Sequence, residues 1–99
     1  MVSPSDLPEN VRLTPSAAKD VTRLLRRNRA ECLRVWDDIK RLGAGTLPPQ
    51  GKKKLRSMDA FQFDSGRYRV VYARQTTGYV ILAIFAKPEQ RDYLRHLRS

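Results

Sequence analysis

The run GRYRVVYA (66–73) sets Arg67 and Arg69 two positions apart among tyrosines and valines. Alternate residues of a strand share a face, so the two arginines are predicted to point one way with Val71 and Ala73. Tyr68, Val70 and Tyr72 take the opposite face. Upstream, GKKKLR (51–56) supplies Lys52, Lys53, Lys54 and Arg56. A guanidinium grips an anion through paired N–H donors, and an ammonium adds a point charge. Cations beside small side chains make a floor on which a phosphate backbone can rest. On the following strand, Phe85 is read as a stacking surface for a base on that floor. A further cluster, Arg23, Arg26, Arg27 and Arg29, is read as solvated surface.

The composition agrees with a polyanionic partner. The chain has 99 residues, 20 cationic and 10 acidic, and a formal charge of +10. Fourteen of the 20 cations are arginine, the side chain best suited to bidentate phosphate contacts. A charge this large describes partners rather than fold. Cys32 is the one cysteine and has no internal disulfide partner. No Cys/His cluster suggests a metal, and no cofactor is expected. His96, the one histidine, is a candidate acid or base, though a lone histidine in a terminal helix is more often solvated or packed. The N-terminus lacks the basic and apolar regions of a secretory signal. The longest apolar run, YVILAIFA (79–86), is too short to span a bilayer. The expectation is a cytoplasmic protein with no membrane partner.

The elements that must position these residues follow from periodicity. Residues 1–8 read as a flexible arm and 9–99 as one domain. ENVRLT (9–14) is a short edge-like strand. Thr14 then Pro15 starts a helix, as cap and first helical residue. Apolar steps through Ala18, Val21, Leu24 and Leu25, then Cys32 or Leu33, Trp36, Ile39 and Leu42, predict a helical hairpin broken near Asn28. Gly43 is read as its stop. An extended stretch is read from LRSM (55–58). Three strands follow, AFQFD (60–64), RYRVVYAR (67–74) and YVILAIFAK (79–87), joined by the turns DSG and QTTG. In the last strand Val80, Leu82 and Ile84 are assigned to the helix side. Ile81, Ala83, Phe85 and Lys87 are assigned to the open side. Pro88 opens a short C-terminal helix. The expected fold is α+β in two layers, a helical hairpin on a four-stranded, mainly antiparallel sheet in the order β-α-α-β-β-β.

With LTPSAAKDVTRLL, GKKKLR, SGRYRVVYA and ILAIFAKPEQRDYL in this order, the chain resembles the RelE/ParE superfamily of toxins from type II toxin–antitoxin systems. The resemblance runs from about residue 10 to 97. It implies the same fold and a cognate antitoxin, an acidic protein that folds on binding. The RelE branch implies a metal-free mRNA interferase, a ribosome-dependent endoribonuclease that blocks translation. There the ribose 2′-OH attacks the adjacent phosphate, which calls for a base, for cations on the developing charge and for help to the leaving oxygen. Matched by position, Arg69 carries the transition-state charge. Tyr93 falls near the family's C-terminal tyrosine. Lys87 or Arg91 stands for the cation before it. Two strand lysines of the family fall at Gln62 and Asp64, which makes Asp64 the candidate base, with Lys52–Lys54 as alternatives. The ParE branch implies a different outcome, inhibition of DNA gyrase without hydrolysis. A third reading is an inactive relative that binds nucleic acid.

Overall fold

The computed structural model describes residues 6–46, 53–54 and 60–89. Strand β1 (Val11–Leu13) leads into helix α1 (Pro15–Arg27), then helix α2 (Arg29–Ala44). Strands β2 (Lys53–Lys54), β3 (Phe61–Ser65), β4 (Tyr68–Gln75) and β5 (Gly78–Ala86) follow. A short 3₁₀ turn covers Lys87–Glu89. The sheet order is β1-β5-β4-β3-β2, with β1 parallel to β5 and the other pairs antiparallel. The four expected strands are present, and the two-residue β2 adds a fifth at the edge. LRSM lies outside the described residues, as do residues 90–99 of the expected C-terminal helix.

The helical hairpin forms as its caps dictate. Thr14 accepts the Ala17 amide at 3.1 Å, and Pro15 occupies the position whose amide would have no partner. Asn28 is extended, ends α1 and begins α2. Its side chain accepts from the Glu31 amide at 3.1 Å and donates to Glu31 Oε1 at 3.0 Å, so one residue breaks the helix and restarts it. The stop is not Gly43. The helix runs to Ala44, and Gly45 takes the left-handed conformation at φ 76°. Gly43 is helical, and it is the close approach of Val11, Pro8 and Asn10 that leaves no room for a side chain there.

Both helices lie on one face of the sheet. Ala17, Val21 and Leu24 of α1 and Cys32, Val35, Trp36, Ile39 and Leu42 of α2 bury against Phe63, Tyr68, Val70, Tyr72, Ile81 and Ile84. Ala17 thus takes the buried position expected of Ala18, and Leu33 is exposed.

The sheet departs from simple alternation at one point. Val71 pairs with Ala83 but Tyr72 pairs with Ile81, so Leu82 is an extra residue in β5. Parity inverts across this bulge. Ile81 joins Ile84 in the helix-side core, and Leu82 packs on the other side. The expectation that Val80, Leu82 and Ile84 share the helix side is corrected accordingly. The bulge coincides with the start of α1. Thr14 donates its backbone N–H to the Ile81 carbonyl at 3.0 Å and its hydroxyl to the Leu82 carbonyl at 3.3 Å.

Candidate functional site

The face away from the helices is not an open floor. Ala60, Val71, Ala83 and Phe85 form a second buried cluster there, with Leu82 against it. Phe85 is 2% exposed, so its ring is core rather than the stacking surface the alternation suggested. Gln62, on the same face, is also buried. Among the described residues, the charged side chains that pair with one another on this face lie at one end, beside the β3–β4 turn.

At that end three of the expected site residues meet. Asp64 and Arg69 are directly opposed in the β3–β4 ladder, and Arg69 is opposed to Phe85 in the β4–β5 ladder. Arg69 Nε donates to Asp64 Oδ1 at 2.9 Å. Lys87 Nζ lies 3.4 Å from Asp64 Oδ2. The backbone explains why Lys87 arrives there. Its N–H donates to the Arg67 carbonyl at 3.1 Å, which carries the ladder past Ala86 and keeps Lys87 in step with Phe85. One carboxylate therefore bridges two cations, one from β4 and one from the turn that follows β5. All three side chains are partly exposed, so the cluster is accessible and its ion pairs contribute little to stability.

Arg67 does not join them. It sits in the turn rather than on the strand, and its guanidinium reaches toward α2, 3.4 Å from Glu31 Oε1. Its side chain is 83% exposed. The turn itself needs Gly66, at φ 60°, and Ser65 ties it to α2 by donating to Asp38 Oδ2 at 2.6 Å. The prediction that Arg67 and Arg69 share a face is corrected: Arg67 lies in the reversal itself, before β4 begins at Tyr68. Lys53 and Lys54 form β2, in register with Gln62 and Phe61. Lys52, Arg56, Arg91, Tyr93 and His96 lie outside the described residues. Among the described residues no group of His, Cys, Asp and Glu side chains could hold a metal ion.

Behind the site stands a residue that apolar periodicity passed over. Asp20 of α1 is buried, and its Oδ2 accepts the Ile84 amide at 2.9 Å. Arg23 lies 3.6 Å from its Oδ1. Together with Arg27, Tyr68, Phe85 and Glu89 these residues line a small cleft of about 60 Å³. Burial raises the Asp20 pKa above the ordinary 3.8; the Ile84 amide and Arg23 work against this, and Glu89 adds to it. Asp20 thus holds the strand segment that carries Phe85 and leads to Lys87. The available signal was a carboxylate within the Ala17–Val21–Leu24 stripe, where an apolar side chain is the rule.

The architecture has known counterparts. Neither a protein-family model nor a curated relative matches the sequence. Solved structures do. The YoeB–YefM complex of Staphylococcus aureus matches with a TM-score of 0.62 and 19% identity, over 76% of this chain and 92% of the other. The toxin–antitoxin complex RelBE2 of Mycobacterium tuberculosis matches with a TM-score of 0.56 and 25% identity, over 82% and 93%. The RelB–RelE antitoxin–toxin complex of Methanococcus jannaschii gives 0.53 and 13%, over 82% and 95%. No helix among the described residues is long and apolar enough to cross a membrane. The helical hairpin, the mixed sheet and these matches lead to one conclusion: the chain has the fold of the YoeB and RelE toxins.

Proposed function

We propose that the protein is the toxin of a type II toxin–antitoxin system and acts as an mRNA interferase. The observation that carries this reading is the convergence of Arg69, Lys87 and Asp64 at one accessible end of the sheet. In the proposed reaction the RNA 2′-oxygen attacks the adjacent phosphorus and loses its proton. The bond from phosphorus to the 5′-oxygen breaks, leaving a 2′,3′-cyclic phosphate and a 5′-hydroxyl. Arg69 takes the charge that builds on the phosphorane oxygens, since a fixed guanidinium at a partly desolvated site stabilises developing charge. Lys87 shares that charge. Asp64 is the candidate acceptor for the 2′-OH proton. Arg91 and Tyr93 of the C-terminal segment remain the expected contributors, as help to the leaving oxygen. Lys52–Lys54 and Arg56 steer the backbone inward.

The proposed partners are mRNA on the ribosome, in the cytoplasm, and an acidic antitoxin drawn to the +10 chain and folding on it. Purified protein incubated with programmed ribosomes should produce discrete mRNA cuts, and Arg69→Ala should slow them by orders of magnitude. A neighbouring reading frame should encode a small acidic protein whose co-expression restores growth. One observation favours a second reading. Gln62 stands where the resemblance expects a lysine, is buried, and has no proton to exchange at neutral pH. That loss suits a ParE-like inhibitor of DNA gyrase. Absence of cuts together with inhibited supercoiling would establish that reading instead.

A further inference from the structure

The Arg69–Lys87 pair already holds an anion. The two oxygens of the Asp64 carboxylate face different cations, Arg69 at 2.9 Å and Lys87 at 3.4 Å. A phosphodiester offers the same feature, two anionic oxygens on one centre. We propose that Asp64 is a resident counter-ion: it occupies the Arg69–Lys87 pair in the free protein, and a phosphate of the RNA backbone must displace it. The inference rests on reading this end of the sheet as an RNA site. It adds a threshold to that site, because an incoming phosphate competes with a tethered carboxylate.

The surroundings support displacement over a purely structural bridge. Asp64 is a short side chain near the end of β3, 42% exposed, so it can swing off the two cations, free for the proton-accepting role proposed above, without opening the core. An exposed ion pair contributes at most about 1 kcal/mol to stability, a weak reason to set an acid on this face. The other described ion pairs cannot serve the same purpose. Asp20 with Arg23 lies within α1, Asp37 with Lys40 and Asp38 with Arg41 lie within α2, each pair three residues apart, and Glu31 engages Arg67 on the helix side. Asp64 alone among these acids sits between cations brought together by the sheet. A tethered carboxylate also favours long ligands. A backbone that gains further contacts elsewhere can displace it, whereas a single small anion has only this one exchange to offer.

The test is a binding titration of the full chain with a labelled 2′-O-methyl RNA oligonucleotide, which cannot be cut, at several salt concentrations. Asp64→Asn should bind roughly tenfold tighter than Asp37→Asn, consistent with freeing one charge-assisted contact. The Asp37 variant adds the same unit of charge on an exposed part of α2, away from the sheet face. The salt dependence of Asp64→Asn should steepen by about 0.7 in log–log slope for each additional phosphate neutralised. Asp64→Glu should bind like the wild type, and Asp64→Ser should repeat the gain. On an Arg69→Ala background the gain should vanish. Equal affinity of Asp64→Asn and Asp37→Asn, or weaker binding by Asp64→Asn, overturns the inference. Binding is measured apart from cutting, so a protein that fails to cut mRNA but tightens on Asp64→Asn loses the interferase reading and keeps the counter-ion.

Discussion

The buried carboxylate of Asp20 on α1 accepts the backbone amide of Ile84 in β5 at 2.9 Å. β1 pairs with β5 only from Tyr79 to Ile81, and beyond that point a side chain of α1 takes over as acceptor along the strand. Asp20→Ala leaves a buried N–H without its acceptor. The expected cost is about 1–3 kcal/mol of stability. Denaturant unfolding followed by circular dichroism measures it, and a loss below about 0.5 kcal/mol would show that another group takes the amide.

Asp20 also sets a pH dependence. Its pKa is raised in the fold above the ordinary 3.8, chiefly by burial. The folded chain therefore holds this proton more tightly than the unfolded chain does. The stabilising contribution is fully present below the unfolded value and is lost as pH rises through the folded one. Asp20→Asn keeps an oxygen for the Ile84 amide and removes the titration. Its stability relative to the wild type should increase with pH from about 4 upward and then level off, as read from unfolding midpoints between about pH 3 and pH 7. A constant difference across that range would refute the assignment.

The two arginines of GRYRVVYA should behave differently. Arg69→Ala should reduce mRNA cutting by about 10²–10³-fold, the typical loss on removing one group that stabilises transition-state charge. Arg67→Ala loses one exposed contact to Glu31, so its stability should change by less than about 1 kcal/mol and its cutting only slightly. Rates on programmed ribosomes separate the two. Equal losses would place both arginines in the reaction.

Phe85 separates packing from stacking. It belongs to a buried cluster with Ala60, Val71 and Ala83. Phe85→Ala should cost about 3–5 kcal/mol through the cavity it leaves. Phe85→Leu, which refills most of that space, should keep most of the stability and of the affinity for RNA. A large loss of RNA affinity in Phe85→Leu at unchanged stability would restore the stacking role.

The contact between β1 and β5 depends on Gly78. A Cβ there would strike the backbone of Asn10, whose carbonyl accepts the Tyr79 amide at 2.7 Å. Gly78→Ala should force the strands apart and cost about 1–3 kcal/mol, as overpacking does. Thermal melting would show it, and an unchanged midpoint would mean that β1 shifts freely.

Local rules made much of this protein legible from sequence. The Thr14–Pro15 cap, the break at Asn28, the turns at Gly66 and Thr76–Thr77, and the α+β order all depend on residues within a few positions of one another. The superfamily resemblance named the three residues that meet at the site, Arg69, Lys87 and Asp64. Their pairing was not legible, because it depends on which strands lie side by side. Leu82 shows the same limit from the other side. Strict alternation assigned its strand to faces, but one extra residue inverted the pattern halfway along, and nothing in YVILAIFA marks where the insertion falls. Thr14, 68 positions away, meets the strand at that point. Asp20 could be flagged as a polar interruption of an apolar stripe, but its partner is an amide 64 residues distant. Sequence by itself determined the main elements, their order and the charge of the chain. Tertiary structure decided which side chains face each other, because strand register and helix docking are set by contacts between segments that sequence spacing does not record.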